Sequence, residues 1–267
     1  MFEDEFKYMK KGEKEARIGL RSEEEIIDLI NKDDKFRKEL RECLIRLDFD
    51  VKGVIHASKE YSKKDKKKTD IVIKIDDELG ISVKTCTETS FHQLDRRRLE
   101  DWQSKLSMPN EIYEVLKEAI LRVSRNPNNT FILENDRENI RKFFNDNLKT
   151  VLNEIFTKGD EKLKLLLIND KTARKIYIFR MDEALEFLYN NAHNNVSFTK
   201  KGIIKLGDYI TVQRKGGDGK RVNIPKTDWK HPGNQLQFKF HPLEFVKGCK
   251  ELKKKEKGYI RFCELTY

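Results

Sequence analysis

The stretch Thr69-Asp70-Ile71-Val72-Ile73-Lys74-Ile75-Asp76-Asp77-Glu78-Leu79-Gly80-Ile81-Ser82-Val83-Lys84-Thr85 sets β-branched runs on either side of an acidic, glycine-containing turn. Two such runs around a polar turn signal a β-hairpin. With the turn centred near Asp77 and Glu78, Asp70 folds back opposite about Lys84 or Thr85. Ser82 and Lys84 are two residues apart and so share one face of their strand. A carboxylate and an ammonium then converge at one end of a short ribbon. That layout suits metal-assisted phosphodiester hydrolysis, with the Asp as cation ligand and the Lys orienting the attacking water. The plainer alternative is an ordinary surface ion pair, worth at most about 1 kcal/mol. The rest of the chain has to decide between them.

Composition narrows the choice. The chain of 267 residues suits one large domain, or two small ones, with a sizeable core. Lys plus Arg outnumber Asp plus Glu by 56 to 46, and the net charge of +10 favours a polyanionic partner. Charge alone does not separate DNA from RNA or an anionic membrane. No apolar run approaches the ~20 residues of a membrane span. Met1 to Lys11 is charged throughout, so no signal peptide is expected. Cys43, Cys86, Cys249 and Cys263 are scattered, which predicts reduced thiols in a cytoplasmic protein. They and the five histidines lack zinc-ligand spacing.

The order of elements is mixed α/β. Ser22 followed by Glu25 predicts a capped helix start. Ile26, Ile27, Ile30, Phe36, Leu40 and Leu44 continue at helical spacing. A strand is predicted over Val51 to His56, and helices over Gln93 to Leu106, Asn110 to Val123, about Asp136 to Phe156, and Asp182 to Tyr189. Asn126-Pro127-Asn128-Asn129 is a break. Strands are predicted over Lys162 to Ile168 and Lys175 to Phe179. The strand-rich last quarter has them at Ile203 to Leu206, Tyr209 to Arg214, Gln235 to Phe240 and Tyr259 to Leu265. With no repeat and no long linker, a single domain over residues 1–267 is expected. Its parts are a helical region over about 1–50, the hairpin over about 69–86 and C-terminal strands over about 200–245.

Two further constellations point to nucleic acid. Lys63, Lys64, Lys66, Lys67 and Lys68 lead directly into Asp70, where they either hold a phosphate backbone or form a solvated charge run. After the hairpin come Phe91, Gln93, Arg96, Arg97 and Arg98. Gln and Arg read base edges and an exposed aromatic wedges between bases, although a lone Phe is more often core. In the last quarter Thr211, Gln213 and Lys215 share one face, opposite Ile210 and Val212. Gln235, Gln237 and Lys239 do the same opposite Leu236, Phe238 and Phe240. Any amphipathic sheet has such a polar face, so this pattern is only suggestive by itself. No GxxxxGKS loop is present, which argues against P-loop nucleotide hydrolysis.

Asp70 followed by Ser82-x-Lys84 resembles the PD-(D/E)xK nuclease pattern. Phe91-His92-Gln93-Leu94-Asp95, Val212-Gln213-Arg214-Lys215-Gly216-Gly217-Asp218 and Leu236-Gln237-Phe238-Lys239 resemble a narrower group, the type II restriction endonucleases of the HinP and MspI kind. The resemblance runs from about Asp70 to the region of Phe245 and is strongest in the Gln213 to Asp218 segment. Before Asp70 it is confined mainly to Gly19 to Ile26. It implies a restriction-endonuclease-like α/β core with a central mixed β-sheet flanked by helices. It also implies Mg²⁺-dependent cleavage of double-stranded DNA at a short palindrome, with GCGC as the HinP-type target. A companion DNA methyltransferase acting on the same site is expected, as is a monomer or homodimer.

Carried over by motif, Asp70 is the metal ligand and Lys84 the catalytic lysine. Ser82 stands where the superfamily has Glu or Asp and the narrower group Gln or Asn. A short neutral side chain adds little to a hard-cation site, so Ser82, the third candidate catalytic residue, contacts the metal through water, or Glu23 or the Val83 carbonyl supplies an additional ligand. Lys67, Lys68, Phe91, Gln93, Arg96, Arg97, Gln213, Arg214, Lys215, Gln235 and Gln237 are the candidate DNA contacts. A structure-selective or repair nuclease, a degenerate nuclease and a non-catalytic nucleic-acid-binding module remain alternatives on these residues.

Overall fold

A computed structural model describes residues 21–60, 68–75, 77–87, 91–216, 222–255 and 260–267. The chain divides into two compact units. The first comprises residues 1–90, 157–184 and 246–267, and the second residues 91–156 and 185–245.

The first described element of the first unit is helix α1 over residues 21–32. The helical periodicity that continues past it is interrupted at Asp33, whose carboxylate caps α2 (Asp34–Arg46) by accepting from the Phe36 amide. Ser22 is not a cap. It lies within α1, is fully buried, and its Oγ accepts from Thr85 Oγ1 (2.6 Å) and Asn169 Nδ2 (2.9 Å).

The strand expected over Val51 to His56 begins later, as β1 (His56–Lys59), because only there does the backbone find a partner strand. Then come β2 (Ile71–Lys74) and β3 (Glu78–Cys86), followed by β5 (Leu163–Asp170), β6 (Lys175–Arg180) and β11 (Phe262–Thr266). Tyr259, the expected start of the last strand, lies outside the described residues.

The sheet order is β1-β2-β3-β5-β6-β11, with β3–β5 parallel and every other neighbour antiparallel. It is therefore a mixed sheet. Alternation places Ile71, Ile73, Ile81, Leu165, Leu167, Ile176 and Ile178 in one core with Ile26, Ile30, Phe36, Leu40 and Leu44 of the two helices. At Gly80, where the register of β3 against β5 shifts, a Cβ would meet Thr69 Oγ1 at 2.6 Å and the Lys162 carbonyl at 2.8 Å. Only glycine permits that approach.

Cys43 of α2 and Cys263 of β11 form a disulfide across 220 residues of sequence, with Cα atoms 5.7 Å apart. The expectation of four reduced thiols is corrected for this pair, because folding brings together cysteines that spacing does not connect. Cys86 and Cys249 are free and buried, and burial pushes each thiol up to about 12.

The second unit carries β4 (His92–Arg97), α3 (Leu99–Leu106), α4 (Asn110–Arg125), a 3₁₀ turn (Glu134–Asp136), α5 (Arg137–Asp146) and α6 (Leu148–Phe156). Helix α7 (Met181–Ala192) leads in from the first unit, and β7 (Val196–Phe198), β8 (Ile204–Leu206), β9 (Ile210–Arg214) and β10 (Leu236–Phe240) follow. Helix α8 (Pro242–Lys255) leads back.

The antiparallel sheet β4-β10-β9-β8-β7 packs Phe238 against Trp102 and Phe144, and Phe240 against Phe156. The helix expected over Gln93 to Leu106 is thus half strand. Pairing of β4 with β10 overrides the local preference, and the helix starts only after Arg98. The long helix expected to Phe156 is broken at Asn147. Strand β7 and helix α8 were not anticipated. No helix among the described residues is long and apolar enough to cross a membrane.

Candidate active site

The hairpin pairs Ile71 with Ile81 and Lys74 with Glu78. Asp70 therefore stands opposite Ser82, not opposite Lys84 or Thr85, and its amide donates to the Ile81 carbonyl at 2.8 Å. The turn sits earlier in the sequence than the acidic cluster suggests, because Glu78 is already paired.

This register builds a compact polar relay. Asp70 Oδ2 accepts from the Val83 amide at 2.7 Å and from Ser82 Oγ at 3.3 Å. Lys84 Nζ donates to Ser82 Oγ at 2.6 Å and to the Val83 carbonyl at 3.2 Å, and lies 3.9 Å from Asp70 Oδ2. Ser82 is 2% exposed and the Lys84 side chain 14%. The hydroxyl therefore links carboxylate and ammonium in one fixed geometry. Asp70, whose side chain is 32% exposed, keeps access to solvent.

Glu23 enters this field from α1. Burial raises its pKa. A hydrogen bond from Lys59 opposes that, and the negative charge of Asp70 adds to it. The Lys59 ammonium lies 3.0 Å from Glu23 Oε2, and Lys84 also acts on Glu23 electrostatically. Two carboxylates that feel each other's charge, flanked by two lysines, are the environment a divalent cation relieves. Lys59 was missed by sequence reasoning, because only the β1–β2 pairing brings this end of the lysine-rich loop to the hairpin.

Among the described residues no three His, Cys, Asp or Glu side chains are grouped to hold a metal. The available donors are the carboxylates of Asp70 and Glu23 and the Val83 carbonyl, all hard oxygens. One or two carboxylates, with water and phosphate oxygens completing the shell, fit Mg²⁺ better than zinc or an all-protein cage.

The second unit holds most of the expected DNA contacts. Phe91 is 49% exposed, with Lys239 Nζ 3.7 Å above its ring and the His241 ring 6.4 Å away, so it is not a core residue. Gln93 is exposed, and its Oε1 accepts from Gln237 Nε2 (2.7 Å) and Arg96 Nη1 (3.5 Å). Gln237 is 6% exposed and lies between Arg96 and Gln213 across the sheet. Lys215 is half-buried, and burial together with the charges of Arg96 and Arg214 lowers its pKa. Gln235 is half-buried and uses its carbonyl to accept from the Lys215 amide.

Three arginines are bound into the unit itself. Arg97 pairs with Asp95 and Glu154 and lies over the Trp102 ring at 4.6 Å, so it holds β4 to α6 and α3 and does not present a free guanidinium. Arg214 is buried and its Nε donates to Asn234. Arg98 donates to the carbonyls of Trp229 and Lys230, which ties down the loop over 222–233. Lys68 is half-buried, and Lys67, with Lys63, Lys64 and Lys66, lies outside the described residues.

A mixed sheet flanked by helices, with this hairpin beside its parallel pair, defines a restriction-endonuclease-like fold. Among solved structures the chain is similar to the restriction endonuclease MspI in complex with its cognate DNA. The TM-score is 0.51, the identity 11%, and the match covers 82% of this chain and 87% of that one. Identity at that level bears on the fold alone. No family model matches the sequence, and no curated protein does.

Proposed function

We propose that this chain is a site-specific, Mg²⁺-dependent endonuclease of double-stranded DNA, a type II restriction enzyme of the HinP and MspI kind, in which both units form a single nuclease. The observation that carries this reading is the relay from Asp70 through Ser82 to Lys84, set on the hairpin beside the parallel pair of the mixed sheet.

Asp70, Glu23 and the Val83 carbonyl would hold the cation. When bound it would neutralise phosphate charge and acidify coordinated water. Lys84, fixed by Ser82 and the Val83 carbonyl, orients the attacking water and offsets the charge that builds on the phosphate. Ser82 acts through Lys84 and touches no reacting atom. Lys59 holds Glu23 in place.

Base reading falls to the second unit. A guanidinium only donates, so the Gln93 atom facing Arg96 is its oxygen, and Gln237 donates to the same oxygen. The Gln93 amide nitrogen is left as a donor, which suits the O6 and N7 acceptors of guanine. A target containing G and C, with GCGC the first candidate, rests on the resemblance to the HinP-type enzymes. Gln213, Lys215, Gln235 and Gln237 line up with it, Phe91 is exposed enough to wedge between bases, and Lys67 and Lys68 contact phosphate. Arg97 and Arg214 are framework residues. The protein would act in the cytoplasm, as a monomer or homodimer, beside a methyltransferase that protects the same site.

The decisive experiment is digestion of a plasmid of known sequence with Mg²⁺, followed by mapping of the ends. Discrete fragments ending at one short palindrome are expected. Cuts confined to junctions or lesions would indicate a structure-selective nuclease. Binding with no cleavage would indicate a non-catalytic module.

A further inference from the structure

The second unit also contains a cavity of about 450 Å³ that takes no part in the hydrolytic relay and shares Gln213 and Lys215 with the proposed base-reading residues. Arg125 at the end of α4, Lys201 before β8, Arg214, Lys215 and Lys226 line it, and no carboxylate does among the described residues. Val123, Pro127, Phe131 and Ile203 make an apolar wall, and Ser124, Asn129, Gln213 and Gly216 complete the lining.

Arg125 and Lys201 are exposed, and no ion pair engages either among the described residues. The charges of Arg214 and Arg96 oppose that of half-buried Lys215. Arg125, Lys201 and Lys215 around one concavity gain most from an anion that they reach together. The apolar wall offers a surface for a flat, weakly polar group, and the volume falls within the range of small-ligand sites.

We infer that this cavity binds a nucleotide unit, its phosphate among Arg125, Lys201 and Lys215 and its base against Val123, Pro127, Phe131 and Ile203. The same chemistry belongs to a nucleotide of bound DNA and to a free mononucleotide. The inference deepens the nuclease reading by adding a site that grips one nucleotide without cutting it.

The test is calorimetric titration of the full chain, free of divalent ions, with deoxyguanosine 5′-monophosphate, inorganic phosphate and deoxyguanosine. Saturable binding of the monophosphate is expected, with phosphate alone weaker and the nucleoside weakest. The double variant Arg125→Glu/Lys201→Glu should melt like the wild type, since both residues are exposed, and should bind the monophosphate at least about tenfold more weakly. Displacement of the monophosphate by duplex DNA would assign the cavity to a nucleotide of the substrate, and co-binding would assign it to a free one. No saturable binding, or equal binding by the double variant, overturns the inference. Mg²⁺-dependent plasmid cleavage by the same preparation reports separately on the nuclease reading, so the two fail independently.

Discussion

Replacing Ser82 by Ala tests the relay at the point where it departs most from a carboxylate-based site. The hydroxyl accepts from Lys84 Nζ at 2.6 Å and donates to Asp70 Oδ2 at 3.3 Å. Its removal leaves the Asp70 carboxylate its Val83 amide donor, and leaves Lys84 the Val83 carbonyl at 3.2 Å and the more distant Asp70 carboxylate. A hydrogen bond to a charged group contributes about 1.5–3 kcal/mol. If that energy serves to aim the ammonium, kcat falls by about tenfold to about a hundredfold. DNA affinity should hardly change, because Ser82 is buried. The assay is single-turnover cleavage of a cognate duplex, with binding measured separately in the absence of Mg²⁺. A loss as complete as that of Asp70→Ala would make Ser82 a direct ligand or the holder of an essential water. An unchanged rate would show that Lys84 needs no aiming. Either result refutes the positioning role.

Asp70→Ala and Lys84→Ala should each abolish detectable cleavage in a plasmid digest while retaining most DNA affinity in a gel shift. A Lys84→Ala enzyme that cuts at the wild-type rate would remove the site assignment. Gln93→Ala should weaken binding to the cognate duplex by about 1–3 kcal/mol and leave scrambled DNA nearly untouched. Lys67→Ala should weaken both alike and reduce the salt slope by about one unit. Paired salt titrations distinguish the two effects, and equal losses for Gln93→Ala on both duplexes would take it out of the reading set. Thiol titration of the denatured, unreduced chain should find two free thiols, Cys86 and Cys249, and reduction should lower stability by about 2–4 kcal/mol in a denaturant melt. Four free thiols would dismiss the bond between Cys43 and Cys263.

Local pattern alone determined a good deal. Alternation along residues 71–85 identifies the hairpin, because one strand face must be buried and the side-chain period of two then sets every residue's direction. The same rule places Ile210 and Val212 apart from Thr211 and Gln213, as the burial along β9 shows. Spacing alone puts Ser82 and Lys84 on one face. Mixed strands and helices follow from the change of period along the chain, and they are what the mixed sheet and its helices display.

What tertiary structure decided is everything that depends on which distant backbone supplies the hydrogen bonds. The strand β4 exists because β10 pairs with it, against a helical reading of its own residues. The register of the hairpin was settled by the pairing of Lys74 with Glu78, and that put Asp70 opposite Ser82. Glu23 and Lys59 reach the hairpin from α1 and β1 through contacts that no spacing encodes. The disulfide joins cysteines 220 positions apart. The direction of the Gln93 amide was set by Arg96 and Gln237, the latter from another strand. Local sequence carries the period of an element, whereas register, partner and donor direction are fixed only when separate segments must satisfy one another's polar groups in a shared interior.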